Sequence, residues 1–298
     1  MNLQVLLATL FTCASIAATA QRSGSSDIPF QGGSVHVTHN SHAFEGDHYT
    51  PVFFLHGGFQ DASMWRQNTP ILQPPFAAFY IDLPGHGNSV SGPRPPDADS
   101  VILAVLDYFN KGKVDLVGLS FGSAVALEFA TKHPERVRRL VLAAPGMAGW
   151  EEVASIDSST IAAFQNMGAA LEREDTAEAA RQFVQSWYVG PYKKKSDVPK
   201  DLYNYGYSTT LRNMRAHRAT GWPEFSKPQT VHRLANVRMP VLLLVGTKDM
   251  VEVGRVSTYL KQHLPDAREV RFPGAAHMLN LEQPEFFNKT VRAFLSKP

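Results

Sequence analysis

Short runs dominated by aliphatic and aromatic residues, each bounded by glycine, proline or polar positions, set the rhythm of this chain. Val52 to Leu55, Ala77 to Ile81, Val114 to Val117, Val137 to Ala143 and Pro240 to Gly246 show little of the alternation expected of a half-exposed sheet. Such runs are the mark of strands buried on both faces, and so of a parallel sheet. Arg268 to Phe272 reads as the last strand, and Ser34 to Thr38 alternates as an edge strand does. Helical patterns fill the intervals. An amphipathic stretch from Ala98 to Phe109 covers one sheet face, an alanine-rich one runs from Ser123 to Ala130, and a closing helix spans Pro284 to Leu295. The predicted class is α/β, with a mostly parallel central sheet and helices on both faces.

After Gly146 the texture changes. Residues 147–235 contain helix-forming stretches at Ser158 to Leu171, Thr176 to Tyr188 and Asp201 to Ala216, and no obvious central strand. Strands resume at Pro240, so the pattern gives a core of residues 21–146 and 236–298 with a helical segment, 147–235, inserted in it. The insert is rich in large rings, among them Trp150, Phe164, Phe183, Trp187, Tyr188 and Trp222. Most of these must build its own core, and a few are expected to face an apolar pocket.

Composition narrows the class. With 298 residues, 44% hydrophobic and 19% charged, the chain has the make-up of a soluble globular protein with a substantial core. A net charge of +2 without a basic stripe gives no reason to expect nucleic acid, and the run Lys193-Lys194-Lys195 reads as a solvated loop. The first twenty residues read as a signal peptide. Val5 to Ile16 is mostly apolar but too short to span a bilayer, and Ala18-Thr19-Ala20 fits a cleavage site, although no Lys or Arg precedes the apolar run. Cleavage after Ala20 would leave a secreted or periplasmic protein without stable membrane insertion. It would also remove Cys13, the one cysteine, so no disulfide is expected. Gln21 to Asp27 is polar and small, and reads as unstructured. His36, His39, His42 and His48 crowd the next stretch, but on a strand His39 points away from His36 and His42, and no metal site is expected.

The candidate chemistry sits at Val114 to Glu128, where the pattern predicts strand, sharp turn and helix around Gly118-Leu119-Ser120-Phe121-Gly122. A serine at such an apex takes strained backbone angles, and a Cβ at 118 or 122 would collide with the neighbouring strand or helix. The turn lifts the Ser120 hydroxyl clear of the sheet. It also aims the first N–H groups of the helix at the space beside that hydroxyl.

This elbow resembles that of the α/β-hydrolase superfamily, and other motifs agree with it. His56-Gly57-Gly58-Phe59 is similar to the family's H-G-x loop, and Asp82-Leu83-Pro84-Gly85-His86-Gly87-Asn88-Ser89 to its D-x-P-G-x-G-x-S loop. Gly246-Thr247-Lys248-Asp249 resembles the turn that supplies the acid, and Pro273-Gly274-Ala275-Ala276-His277 the histidine loop. The resemblance implies a nucleophile at Ser120, an acid at Asp249 and a base at His277. It further implies an oxyanion hole from the Gly58 and Phe121 N–H groups, and a helical cap at residues 147–235. His56, Asp82 and His86 take structural roles in this reading, and Glu252 is a distant substitute for Asp249.

The implied activity is hydrolysis of a carboxylic ester of a small to medium apolar substrate through an acyl-enzyme, without metal or organic cofactor. Hydrolysis of carbon–carbon bonds in aromatic ring-fission products and acyl transfer to an alcohol are the alternatives that share these residues. A ligand-binding protein on the same fold is the reading of a different class, distinguished by binding without multiple turnover. A small-molecule substrate is the only partner expected.

Overall fold

The computed structural model of the chain describes residues 24–44, 48–69, 74–217 and 222–297. The segment read as a signal peptide, with Cys13, lies outside the described residues. The strands are β1 (Gly24–Phe30), β2 (Gly33–His39), β3 (Thr50–Leu55), β4 (Phe76–Ile81), β5 (Val114–Leu119), β6 (Val137–Ala143), β7 (Val241–Gly246) and β8 (Ala267–Phe272). They form one 8-stranded sheet in the order β1-β2-β4-β3-β5-β6-β7-β8. From β4 to β8 every neighbouring pair is parallel, and β1 and β2 join antiparallel at one side.

The side chains of these runs explain why the sheet forms. Successive residues of a strand face opposite ways, and both faces are apolar here. Phe54, Val117, Leu119, Val141 and Leu244 enter one core, while Phe53, Leu55, Leu116, Leu142 and Leu243 enter the other. The helices are α1 (Ser100–Tyr108), α2 (Phe121–Lys132), α3 (Ser158–Glu172), α4 (Thr176–Val184), α5 (Lys200–His217), α6 (Val251–His263), α7 (Leu279–Glu282) and α8 (Pro284–Leu295). Helices α1, α2 and α6 close the second core, whereas α8 packs against the first with Phe287, Val291 and Phe294.

One expectation is corrected at the start of the described chain. Gly24 to Asp27, read as unstructured, belong to β1, which pairs residue for residue with β2 from Gly24↔His39 to Phe30↔Gly33. The strand therefore lies outside β2, and β2 is not the edge. Its support is backbone pairing rather than apolar burial: only Ile28 in it is buried. The turn Gln31-Gly32 has φ of 46° and 84°, the pair of positive values that a type I′ hairpin turn requires.

Between β6 and β7 the described residues hold α3, α4 and α5 and no strand of the sheet. The stretch read as one helix from Thr176 to Tyr188 is α4 followed by a π-helical turn, Gln185–Val189. That turn rotates Trp187 and Tyr188 inward, and both are buried. Ala163, Met167, Ala179 and Phe183 join them over the C-terminal ends of the strands.

Candidate active site

Strand β5 ends at Leu119 and α2 starts at Phe121, leaving Ser120 alone at the corner with φ 55° and ψ −113°. A non-glycine residue in that region costs about 1–3 kcal/mol, so surrounding contacts must hold it. The Ser120 N–H donates to the Ala143 carbonyl at 2.9 Å, extending the β5–β6 ladder through the corner. Gly118 and Gly122 allow the turn to close. A Cβ on Gly118 would lie 2.3 Å from the Gly122 carbonyl oxygen, and one on Gly122 would lie 2.2 Å from that of Leu55. Ser123 clasps the elbow: its hydroxyl donates to the Ser120 carbonyl at 2.6 Å and accepts the Gly146 N–H at 2.9 Å.

Asp249 and His277 come from the ends of β7 and β8. Asp249 Oδ1 and Oδ2 each lie 2.9 Å from His277 Nδ1, and both side chains are buried. The two loops meet because residue 246 is glycine, since a Cβ there would sit 2.1 Å from the Ala276 carbonyl oxygen. A carboxylate only accepts, so Nδ1 carries the hydrogen and Nε2 presents its lone pair. Nε2 is buried and makes no hydrogen bond, and the Ser120 hydroxyl is therefore not bonded to it. The two groups nonetheless line the same cavity. Bonds of this kind are often long without substrate and tighten when it binds.

On the other side of Ser120 stands the loop after β3. Gly58 and Phe121 line the cavity together, and a Cβ on Gly58 would come 3.8 Å from that of Phe121. Phe121 opens α2, so its N–H has no carbonyl partner within the helix. Two buried histidines fix the loop. The Leu83 N–H donates to His56 Nε2 at 2.9 Å and the Phe59 N–H to His86 Nε2 at 3.2 Å, tying the loops after β3 and β4 together in both directions. Each ring then donates from Nδ1, His56 to the Gly57 carbonyl at 2.8 Å and His86 to that of Pro84 at 3.1 Å. Burial holds the His56 imidazole below its usual range, in keeping with a neutral ring that must accept. Asp82 accepts the N–H groups of Ala62 at 2.7 Å and Asn88 at 2.9 Å, and burial raises its carboxyl.

The cavity has a volume of about 670 Å³. Of the insert's rings, Phe164, Phe183, Trp187, Trp222 and Phe225 line it, while Tyr188 does not. A separate cavity of about 500 Å³, lined by Asp61, Arg66, Asp82 and Arg212, reaches neither Ser120 nor His277. Among the described residues no group of three or more metal-ligating side chains occurs. His36 pairs with Asp27 at 2.7 Å, and His42 stacks on Tyr49 at 4.0 Å.

Several participants were not apparent from the sequence. Gln60 is wholly buried, its amide donating to Thr210 Oγ1 at 3.0 Å while Tyr188 donates to its Oε1. Asn213 and Arg212 hold Asp61 in the same way, so α5 and the π-turn are bolted to the Gly58 loop. Glu282 accepts the N–H of Ala276, next to His277, at 2.9 Å and pairs with Lys193. Thus Lys193, read as part of a solvated run, turns inward, and burial raises the Glu282 carboxyl against it. Glu252 is taken up by other partners. It accepts from Asp157 N–H at 2.6 Å and from the Trp150 indole, anchoring the start of the insert.

A family model described as the alpha/beta hydrolase fold matches residues 50–284. Among curated relatives, the dihydrolipoyllysine-residue acetyltransferase component of the acetoin cleaving system of Pseudomonas putida is 29% identical over 261 residues, 85% of this chain and 65% of that protein. The chain thus spans just under two thirds of that relative. The pimeloyl-(acyl-carrier protein) methyl ester esterase of Neisseria meningitidis is 28% identical over 249 residues, 82% of this chain and 93% of the relative. Among solved structures, a carboxylesterase from Bacillus subtilis is similar with a TM-score of 0.74 at 22% identity, with 92% of each chain covered. At that identity the likeness speaks for the fold alone.

Proposed function

The chain belongs to the alpha/beta hydrolase fold family, and from that premise we propose that it is a serine hydrolase cleaving carboxylic esters of small to medium apolar substrates. One observation carries the reading: the buried Asp249–His277 pair, with both carboxylate oxygens 2.9 Å from Nδ1, leaves Nε2 unbonded in the cavity lined by Ser120. The esterase among the relatives supports it by name.

In this reading His277 Nε2 takes the Ser120 proton as Oγ attacks the ester carbonyl, because a neutral hydroxyl is too weak a nucleophile alone. Asp249 holds the imidazole in the required tautomer and stabilises the imidazolium. The tetrahedral oxyanion falls between the Gly58 and Phe121 N–H groups, each contributing about 3–4 kcal/mol to the barrier reduction. Collapse expels the alcohol with the proton returned by His277, and water activated by the same nitrogen releases the acid.

The test is Ser120→Ala assayed on p-nitrophenyl butyrate beside the unaltered protein. Turnover is expected to fall by roughly 10⁴-fold or more with the circular dichroism spectrum preserved. Undiminished turnover would remove Ser120 from the mechanism.

A further inference from the structure

Two chambers overlap at Ser120, His277, Met147, Phe164 and Trp187. The first contains Gly58, Phe121 and Trp222. The second, of about 520 Å³, extends beyond these shared residues between the loop after β6, the start of α3 and one face of α6. Its walls are Ala144, Met147, Met250, Val253 and Val256, with Trp187 at the junction.

The polar groups of the second chamber leave little for a polar ligand to answer. Glu252 already accepts from Asp157 and Trp150. The Thr160 hydroxyl, buried without a partner, is the one inner wall group besides Ser120 and His277 that a polar ligand could still answer. Glu151 and Gln165 stand at the exposed rim. The outer end is the decisive feature. Ile156 and Ile161 line only this chamber and yet are 38% and 40% exposed, and Phe164, shared with the first chamber, is 54% exposed. Ile161 and Phe164 lie three apart on α3, on one side of the helix. Large exposed apolar groups that line one passage commonly mark a surface that something covers, and here the passage also holds the nucleophile.

We propose that this second chamber is the subsite for an unbranched alkyl chain of the ester, whose distal end leaves the protein over Ile156, Ile161 and Phe164. The inference rests on the serine-hydrolase reading and adds its substrate class. A chain of this kind fills the passage and covers the lip with the same continuous apolar surface. A compact substrate would leave the passage empty and the lip wet.

The experiment is a chain-length series from two to twelve carbons, below micelle-forming concentration, in two arms: p-nitrophenyl alkanoates and alkyl acetates. In one arm kcat/KM should rise by up to about fourfold per methylene beyond four carbons, the gain of full methylene burial. The arm that rises identifies which side of the carbonyl the chamber takes. Ile156→Asp and Ile161→Asp, both at exposed positions where folding is little affected, should lower kcat/KM for ten-carbon chains tenfold or more while leaving two-carbon esters unchanged. Flat series in both arms, or variants that act equally on short and long chains, would overturn the alkyl subsite. Short-ester turnover that is lost in Ser120→Ala would still uphold the serine-hydrolase reading in that case. If no ester is turned over at all, both readings fall.

Discussion

The floor of this site and its roof are held by different means. The floor is the strand ends that carry Ser120, Asp249 and His277, and it is fixed by backbone lying against backbone. At Gly118, Gly122 and Gly246 an added Cβ would come within 2.1–2.3 Å of a carbonyl oxygen of a neighbouring segment. The roof, α3 to α5 with the π-turn, is fastened by side chains: Tyr188 and Thr210 to Gln60, Arg212 and Asn213 to Asp61, Lys193 to Glu282. A Cβ pressed on backbone has nowhere to go, whereas a side-chain hydrogen bond contributes about 0.5–1.5 kcal/mol, or about 1.5–3 kcal/mol to a charged group, and can be exchanged. Under the proposed function the reaction would sit where the chain has no freedom, and the choice of substrate where it has some.

The largest expected effect is on the floor. Gly122→Ala places a methyl group 2.2 Å from the Leu55 carbonyl oxygen, and neither backbone can yield without opening the elbow. Soluble yield and ester turnover should both collapse. A variant that melts normally and keeps full activity would show that the close approach is dispensable.

Glu282→Ala comes next, because Glu282 joins floor to roof. Losing its bond to the Ala276 N–H loosens the His277 loop, and kcat should fall about ten- to a hundredfold with KM little changed. Glu282→Gln keeps an acceptor there and should recover most of the loss. Equal damage in both variants would mean that the carboxylate does more than hold the loop.

On the roof, Tyr188→Phe leaves Gln60 Oε1 buried without its donor, which should cost about 1–3 kcal/mol in urea unfolding while kcat stays within a fewfold. A stability change near zero would mean that the roof is not fastened there.

The smallest effect concerns pH. The unfolded imidazole titrates near 6.5, and burial lowers His56 below that in the folded state. The unfolded chain therefore binds the proton first. The contribution of neutral His56 is complete above pH 6.5 and is lost as pH falls below it toward the folded value. Asp82, raised by burial, works in the opposite sense. Wild-type stability measured between pH 7.5 and 5 should fall more steeply than that of His56→Gln, and parallel slopes would contradict the assignment.

This contrast also explains what could be read from the sequence. Strands such as Val241–Gly246 are buried on both faces, so composition alone marks them, and the glycine turns between strands and helices carry their own steric signature. β1 could not be read because its stability lies in backbone pairing to β2, which leaves almost no apolar trace in GSSDIPF. The insert's helices were legible from periodicity, but their facing was not. Nothing in Lys193-Lys194-Lys195 tells which lysine meets a carboxylate far along the chain, nor does helical spacing show that a π-turn aims Trp187 at the cavity and Tyr188 at Gln60.

The account stands on Ser120 being the residue that becomes acylated. The most direct measurement is brief reaction with a fluorophosphonate, followed by intact mass and peptide mapping of the protein and of Ser120→Ala. One adduct per chain on the peptide containing Ser120, absent from the variant, is the predicted result. An adduct on another residue, or equal labelling of Ser120→Ala, would contradict it.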